Sequence, residues 1–128
     1  MQVYLAGPIS DGPNPYAWHE RVEELAPEVD WINPFLIHDI PQDEVRDHTD
    51  EIIKTDLTAV RNADAVLLRR IPEYNLCGAS IEAREAYINK IPVVVWNTSS
   101  SDIPLFLDGP CSVTCESLPD AVSEVTQM

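Results

Sequence analysis

Asp64-Ala65-Val66-Leu67-Leu68, then Gly78-Ala79-Ser80-Ile81-Glu82-Ala83-Arg84-Glu85-Ala86, then Ile91-Pro92-Val93-Val94-Val95-Trp96: these three stretches decide the fold. The outer two are short, continuous β-branched or aliphatic runs, as strands covered on both faces require. The middle one places Ala79, Glu82, Ala83 and Ala86 at i, i+3, i+4 and i+7, a stripe of small side chains fit to lie close on a sheet. Strand, helix and strand in succession indicate a parallel sheet with helices on its faces.

Working outward, Val3 to Ala6 reads as a first strand stopped by Gly7-Pro8. The turn-rich loop Asp11-Gly12-Pro13-Asn14-Pro15 follows, and Trp18, Val22 and Leu25 then mark an amphipathic helix. Trp31-Ile32-Asn33 is a short second strand, and the polar segment Phe35 to Asp47 reads as a surface loop or lid over the strand ends. Thr49 or Asp50 can cap the next helix, which runs to about Asn62; the Glu82 helix is expected from about Ala79 to Asn89. A weak strand near Ser112 to Cys115 and a helix from Leu118 to Val125 complete the pattern. The expected fold is α/β: a single flavodoxin-like, three-layer domain over residues 1–128 with a five-stranded, doubly wound parallel sheet. In such folds ligands bind beyond the C-terminal ends of the strands, here the loops after Tyr4 and Leu68 and the start of the Glu82 helix. Trp18 and Trp31 read as packing residues, and Trp96 as core or as a wall against which a base stacks.

Two carboxylates interrupt apolar stripes. Glu82 breaks the alanine row, and one helix earlier Asp56 is the polar member among Ile53, Leu57 and Val60. Burying an unpaired carboxylate costs several kcal/mol, whereas a helix N-terminus returns roughly 0.3 to 1 kcal/mol, or about 2 when partly buried. Either each acid has its own buried partner, or both line a shared solvated cleft that a ligand completes.

No GxGxxG follows the first strand and no GxxxxGK[ST] occurs, so the usual dinucleotide and P-loop phosphate cradles are absent. His19, His38 and His48 share no ligand spacing and read as surface residues; no metal and no cofactor is expected. The residues that remain resemble the nucleoside 2-deoxyribosyltransferases and the related deoxynucleoside-monophosphate N-glycosidases. The resemblance rests on Val-Tyr-Leu-Ala-Gly-Pro at 3 to 8, Asp56-Leu57 followed by Ala63-Asp64, Gly78 leading to Glu82, Ala86, and Pro92-Val93-Val94-Val95. It implies that Glu82 is the nucleophile, Asp56 the proton donor to the leaving base, and Tyr4 a phenol that positions nucleophile and sugar. Gly7, Pro8, Asn75, Gly78 and Ser80 would then contact substrate, although Ser80 also reads as a helix-start residue. The chain departs from the transferase pattern at Leu76, where an Asp helps hold the nucleoside, and from the hydrolase pattern at Leu76 and Ser10, where a Ser and an Arg serve phosphate.

An N-glycosidic bond breaks through an oxocarbenium-like transition state, which calls for an anion beneath the anomeric carbon and an acid near the departing base. A Glu82 at its helix N-terminus would be favoured as the anion, and Asp56 beside it would have its pKa raised and keep a proton. The expected partners are a deoxynucleoside or deoxynucleotide and, for transfer, a free nucleobase acceptor. The resemblance further implies a role in nucleotide salvage and a homodimer or larger homo-oligomer whose neighbour completes the site. Transferase, monophosphate hydrolase and, from another class, a non-catalytic nucleotide sensor or a purely structural subunit all stay open at this point.

Composition narrows the setting. The 128 residues are 45% hydrophobic, enough for one core. Met1-Gln2-Val3-Tyr4-Leu5 offers no basic region ahead of a long apolar run, so a soluble cytoplasmic protein without a membrane segment is expected. Cys77, Cys111 and Cys115 are read as buried free thiols. The 22 acids against 8 bases, net charge −14, leave no basic stripe for a nucleic-acid backbone. Acids spread over every segment instead point to a salt-adapted, halophilic cytoplasm, because they repel until salt screens them. The melting temperature should therefore climb from low salt to several molar KCl; a flat series would show that the acids are compensated within the fold.

Overall fold

The computed structural model describes residues 1–99 and 101–128. Its five strands are β1 (Gln2–Ala6), β2 (Asp30–Ile32), β3 (Ala65–Arg70), β4 (Val93–Asn97) and β5 (Val113–Cys115). They form one sheet in the order β2-β1-β3-β4-β5, every pair parallel. The helices are α1 (Ala17–Leu25), α2 (Thr49–Asn62), α3 (Cys77–Ile88), a single turn α4 (Leu105–Asp108) and α5 (Leu118–Thr126). This is the flavodoxin-like arrangement expected from the sequence.

Alternation along β1 and β3 builds the two sides. Val3, Leu5, Ala65 and Leu67 pack in one cluster with Trp18 and Val22 of α1 and Val122 and Val125 of α5. Tyr4, Ala6, Val66 and Leu68 pack on the opposite face with Val60 of α2 and Ala79, Ala83 and Ala86 of α3. The alanine row thus does what its spacing implies: with no side chain beyond Cβ, α3 settles close on the sheet. No described helix is long and apolar enough to cross a membrane.

Several local expectations are corrected. The segment before α2 contains a 3-10 helix, Gln42–Asp47, and His48 rather than Thr49 or Asp50 occupies the cap position of α2. β2 begins one residue early and ends at Ile32 instead of Asn33, while β3 runs through Arg70. α3 starts at Cys77, not Ala79, because Asn75 Oδ1 accepts from the Cys77 amide at 2.8 Å and Ser80 N already bonds Leu76 O at 2.7 Å. Ser80 is therefore inside the first turn rather than at the helix start. His19 is not a surface residue: it is 2% exposed, packed among Tyr16, Trp18 and Phe35. Trp18 and Trp31 are core residues whose indole N–H groups reach Pro8 O and Ala26 O, each at 2.9 Å. All three cysteines are free, but Cys77 is exposed and Cys111 half-buried, leaving Cys115 as the buried thiol.

The strand order reverses between β1 and β3, and the chain leaves β1 there through Gly7. Gly7 has φ +123°, and a Cβ on it would stand 2.6 Å from Arg69 O of β3. Only glycine lets the first loop turn away so close to the neighbouring strand, and that turn opens the crevice in which the acids meet.

Candidate active site

Tyr4 points to the α2 and α3 side of the sheet because it alternates with Val3 and Leu5. Its ring is fully buried, and its hydroxyl donates to Glu82 Oε2, the only bond the side chain makes among the described residues. Burial, and then the negative charges of Glu82 and Asp56, push the phenol pKa well above its ordinary value, so Tyr4 is a fixed donor. Glu82 is half-buried in the second turn of α3. That position corrects the expectation that a helix N-terminus stabilises it, since the dipole effect fades within the first turn. The phenol does that work instead.

Both acids are shifted, not Asp56 alone. Burial raises Glu82 to about 7, with the Tyr4 hydroxyl pulling it back down and the Asp56 charge adding to the rise. Asp56 is raised to about 6 by burial, against the lowering effect of His38. The difference between the acids lies in their partners: Glu82 receives a hydrogen bond, whereas Asp56 Oδ1 is buried with none among the described residues. A donor aimed at one carboxylate favours its ionised form, and an unpartnered buried oxygen favours the protonated one.

Of the two arrangements open from the sequence, the shared cleft is the one observed. Asp56 and Glu82 line a cavity of about 430 Å³, together with Gly7, Pro8, Asn75 and Gly78. Tyr4 reaches it through its bond to Glu82, while Ser80 is not among the lining residues. The rest of the wall is apolar and was missed as such: Pro34, Phe35, Ile40 and Val45 come from the segment between β2 and α2, facing Ile52, Ile53 and Leu57 of α2 and Ile81 of α3. Ile53 is accordingly 52% exposed, not covered by the sheet. His38 also lines the cavity, half-buried, so the surface reading fails for it as well. The apolar members of an otherwise polar segment were the available signal.

Arg69 and Arg70 lie within β3 and do not line the cavity. The Arg69 guanidinium sits 5.9 Å from the Trp18 ring and 5.2 Å from the Trp96 ring, with Ser10 Oγ at 3.4 Å. Burial, and then the charge of Arg69, lower the neighbouring His19 to about 4, keeping that imidazole neutral. Arg70 is 8% exposed and donates to Asn97 Oδ1 at 3.1 Å and Ser101 Oγ at 2.9 Å.

The fold places the chain among flavodoxin-like α/β domains with a ligand crevice at the strand switch point. No family model and no curated protein matches the sequence, but solved structures share the fold. A 2-deoxyribosyltransferase from the psychrotolerant bacterium Bacillus psychrosaccharolyticus superposes with a TM-score of 0.75 at 20% identity, covering 95% of this chain and 90% of its own. A conserved protein from Enterococcus faecalis V583 superposes with a TM-score of 0.79 at 19% identity, covering 99% and 98%.

A carboxyl held above its ordinary pKa makes the fold less stable as pH rises. Below the unfolded value, near 4.5, Glu82 is protonated in both states and imposes no penalty. Between there and about 7 the folded state retains a proton that the unfolded chain has lost, so stability falls through that window. The full penalty, of order 3 kcal/mol, is present above it. Glu82→Gln should therefore melt higher than wild type at about pH 8 and close to it at about pH 4. An equal difference at both pH values in calorimetry would show that the carboxyl charge is not its source.

Proposed function

We propose that this protein cleaves the N-glycosidic bond of 2′-deoxynucleosides and transfers the 2-deoxyribosyl group to a second nucleobase. The observation that carries the reading is the pair of unlike carboxylates in one cavity: Glu82, held by Tyr4, and Asp56, with a buried oxygen that no described residue satisfies. The Glu82 carboxylate attacks C1′; the C1′–N bond breaks with its electron pair going to the base, and the base takes the Asp56 proton. The resulting glycosyl ester is resolved when an acceptor base attacks C1′ and gives its proton to the Asp56 carboxylate, regenerating both acids. Water in place of the acceptor makes the same cycle a hydrolysis. Tyr4 positions the nucleophile and, by donating its hydroxyl hydrogen, offsets part of the rise that burial imposes on the Glu82 carboxyl.

A free nucleoside suits the cavity better than its 5′-monophosphate. A phosphate dianion calls for cationic or multiple N–H and O–H donors, and no Arg or Lys lines the cavity among the described residues. Arg69 is held between two indoles and Arg70 by Asn97 and Ser101.

The cavity rim is also unusually apolar. Phe35, Ile53 and Ile81, which line the cavity, are 39 to 52% exposed. Such a patch on a strongly acidic chain is consistent with a second copy covering the mouth, which is the homo-oligomer implied by the sequence resemblance. Sedimentation at micromolar concentration should show a dimer or larger species; a clean monomer at all concentrations would leave the site to one chain.

The decisive assay follows release of free base from deoxynucleosides and their 5′-monophosphates, with and without an added acceptor base. Glu82→Ala should lower kcat/KM by at least about 1,000-fold with the circular dichroism unchanged. Asp56→Asn should cost about 100-fold or more on natural bases and far less on activated leaving groups. Turnover indifferent to acceptor would make the protein a hydrolase, a strong preference for monophosphates would overturn the substrate assignment, and binding without turnover would make it a sensor.

A further inference from the structure

Asp56 is not alone in lacking a partner. His38 Nδ1, in the segment between β2 and α2, is buried with no hydrogen bond among the described residues, and both side chains line the same cavity. The start of that segment is held in place, since Asn33 Oδ1 accepts from Phe35 N at 3.0 Å and Asn33 O accepts from Leu36 N at the same distance. His38 is thus presented by a locally fixed turn. Leaving two buried polar atoms unsatisfied is costly unless a ligand or ordered water answers each.

Resting on the deoxynucleoside reading above, we propose that His38 is a specificity residue that pairs with the C6 substituent of a purine while Asp56 serves the adjacent N7. A purine presents these two groups side by side on its Hoogsteen edge: N7 is an acceptor in every case, and the neighbour is an amino donor or an oxo acceptor. Asp56 in its protonated form donates to N7, the role required of it as the base departs. An imidazole offers an N–H donor on one ring nitrogen and can carry a lone pair on the other, so Nδ1 can answer a 6-amino or a 6-oxo group without moving. One histidine therefore accommodates both purine types yet leaves a 6-unsubstituted purine with a buried, unanswered nitrogen. The apolar walls on either side, including Phe35 and Ile81, suit the faces of the flat ring.

The test compares 2′-deoxyadenosine, 2′-deoxyinosine and purine 2′-deoxyriboside on wild type, His38→Ala and His38→Asn. Wild type should favour both 6-substituted substrates over the unsubstituted one by about tenfold or more in kcat/KM, since a site built around a polar group rejects the analogue that lacks it. His38→Ala should bring that ratio to within about twofold of unity, whereas His38→Asn, whose amide offers donor and acceptor near the Nδ1 position, should restore much of it. A uniform loss on all three substrates in His38→Ala with the ratio unchanged would overturn the assignment, as would a wild type that accepts only pyrimidine deoxynucleosides. If wild type binds these nucleosides without turning them over, the catalytic reading falls, and the same ratio taken from Kd values by calorimetry decides the role of His38. No binding of any nucleoside by wild type would overturn both.

Discussion

The hydrogen bond from Tyr4 to Glu82 fastens β1 to α3 and sets the electrostatics of the cavity around it. The two groups come from opposite halves of the chain, and each alone would be a liability: a buried phenol without an acceptor and a half-buried carboxylate without a donor. Joined, they leave one negative charge in a place where the protein stabilises it by one directed donor. The Asp56 charge, in turn, acts on Glu82 and adds to the rise that burial causes. Asp56 has no donor of its own, and its easiest response to burial is to remain protonated. An asymmetric pair thus follows from the presence of the phenol beside one acid and its absence beside the other, without any helix-dipole contribution.

The location of the pair depends on the sheet. Reversal of strand order between β1 and β3 opens a crevice, and Gly7 at φ +123° is the residue that lets the backbone pass Arg69 into it. The small side chains of α3 then allow that helix to lie low enough for Glu82 to meet a hydroxyl on the sheet itself. A larger residue at Ala79 or Ala83 would lift the helix and lengthen the bond. The alanine row and the carboxylate that interrupts it are therefore one device, in which close packing brings the acid within reach of its donor.

Much of this was legible in the sequence because it is encoded by periodicity. Continuous aliphatic runs identified β3 and β4, and the small-residue stripe identified the face of α3 and singled out Glu82 on it. Alternation on β3 could have separated Arg69 from Arg70, since Leu67 and Arg69 share one face and Leu68 and Arg70 the other. Other features depend on contacts that no local pattern carries. Asn75 starts α3 two residues early through its side chain, which moves Glu82 out of the first turn. His19 is buried because Tyr16, Trp18 and Phe35, from two separate segments, close around it. The role of the segment containing His38 appears only when it folds over α2, since polar sequence between an Ile and a Val gives no direction in space.

The chain's strong negative charge bears on why its few cations are placed as they are. With 22 acids against 8 bases, an unengaged arginine near the strand ends would be the most attractive local site for any anion, including the protein's own carboxylates. Arg69 is instead held against two indole faces, and Arg70 bonds to neutral oxygens of Asn97 and Ser101. Neither guanidinium forms an ion pair with Glu82 or Asp56 among the described residues, so neither lowers their pKa values by direct contact. Had Arg70 reached the crevice, it would have stabilised both carboxylates as anions and lowered the pKa of Asp56. Keeping cations out of the cavity preserves an acid there, and the same exclusion deprives a 5′-phosphate of its natural counter-charge. On the function proposed above, a preference for an uncharged nucleoside and the raised pKa of Asp56 would be two consequences of one electrostatic arrangement.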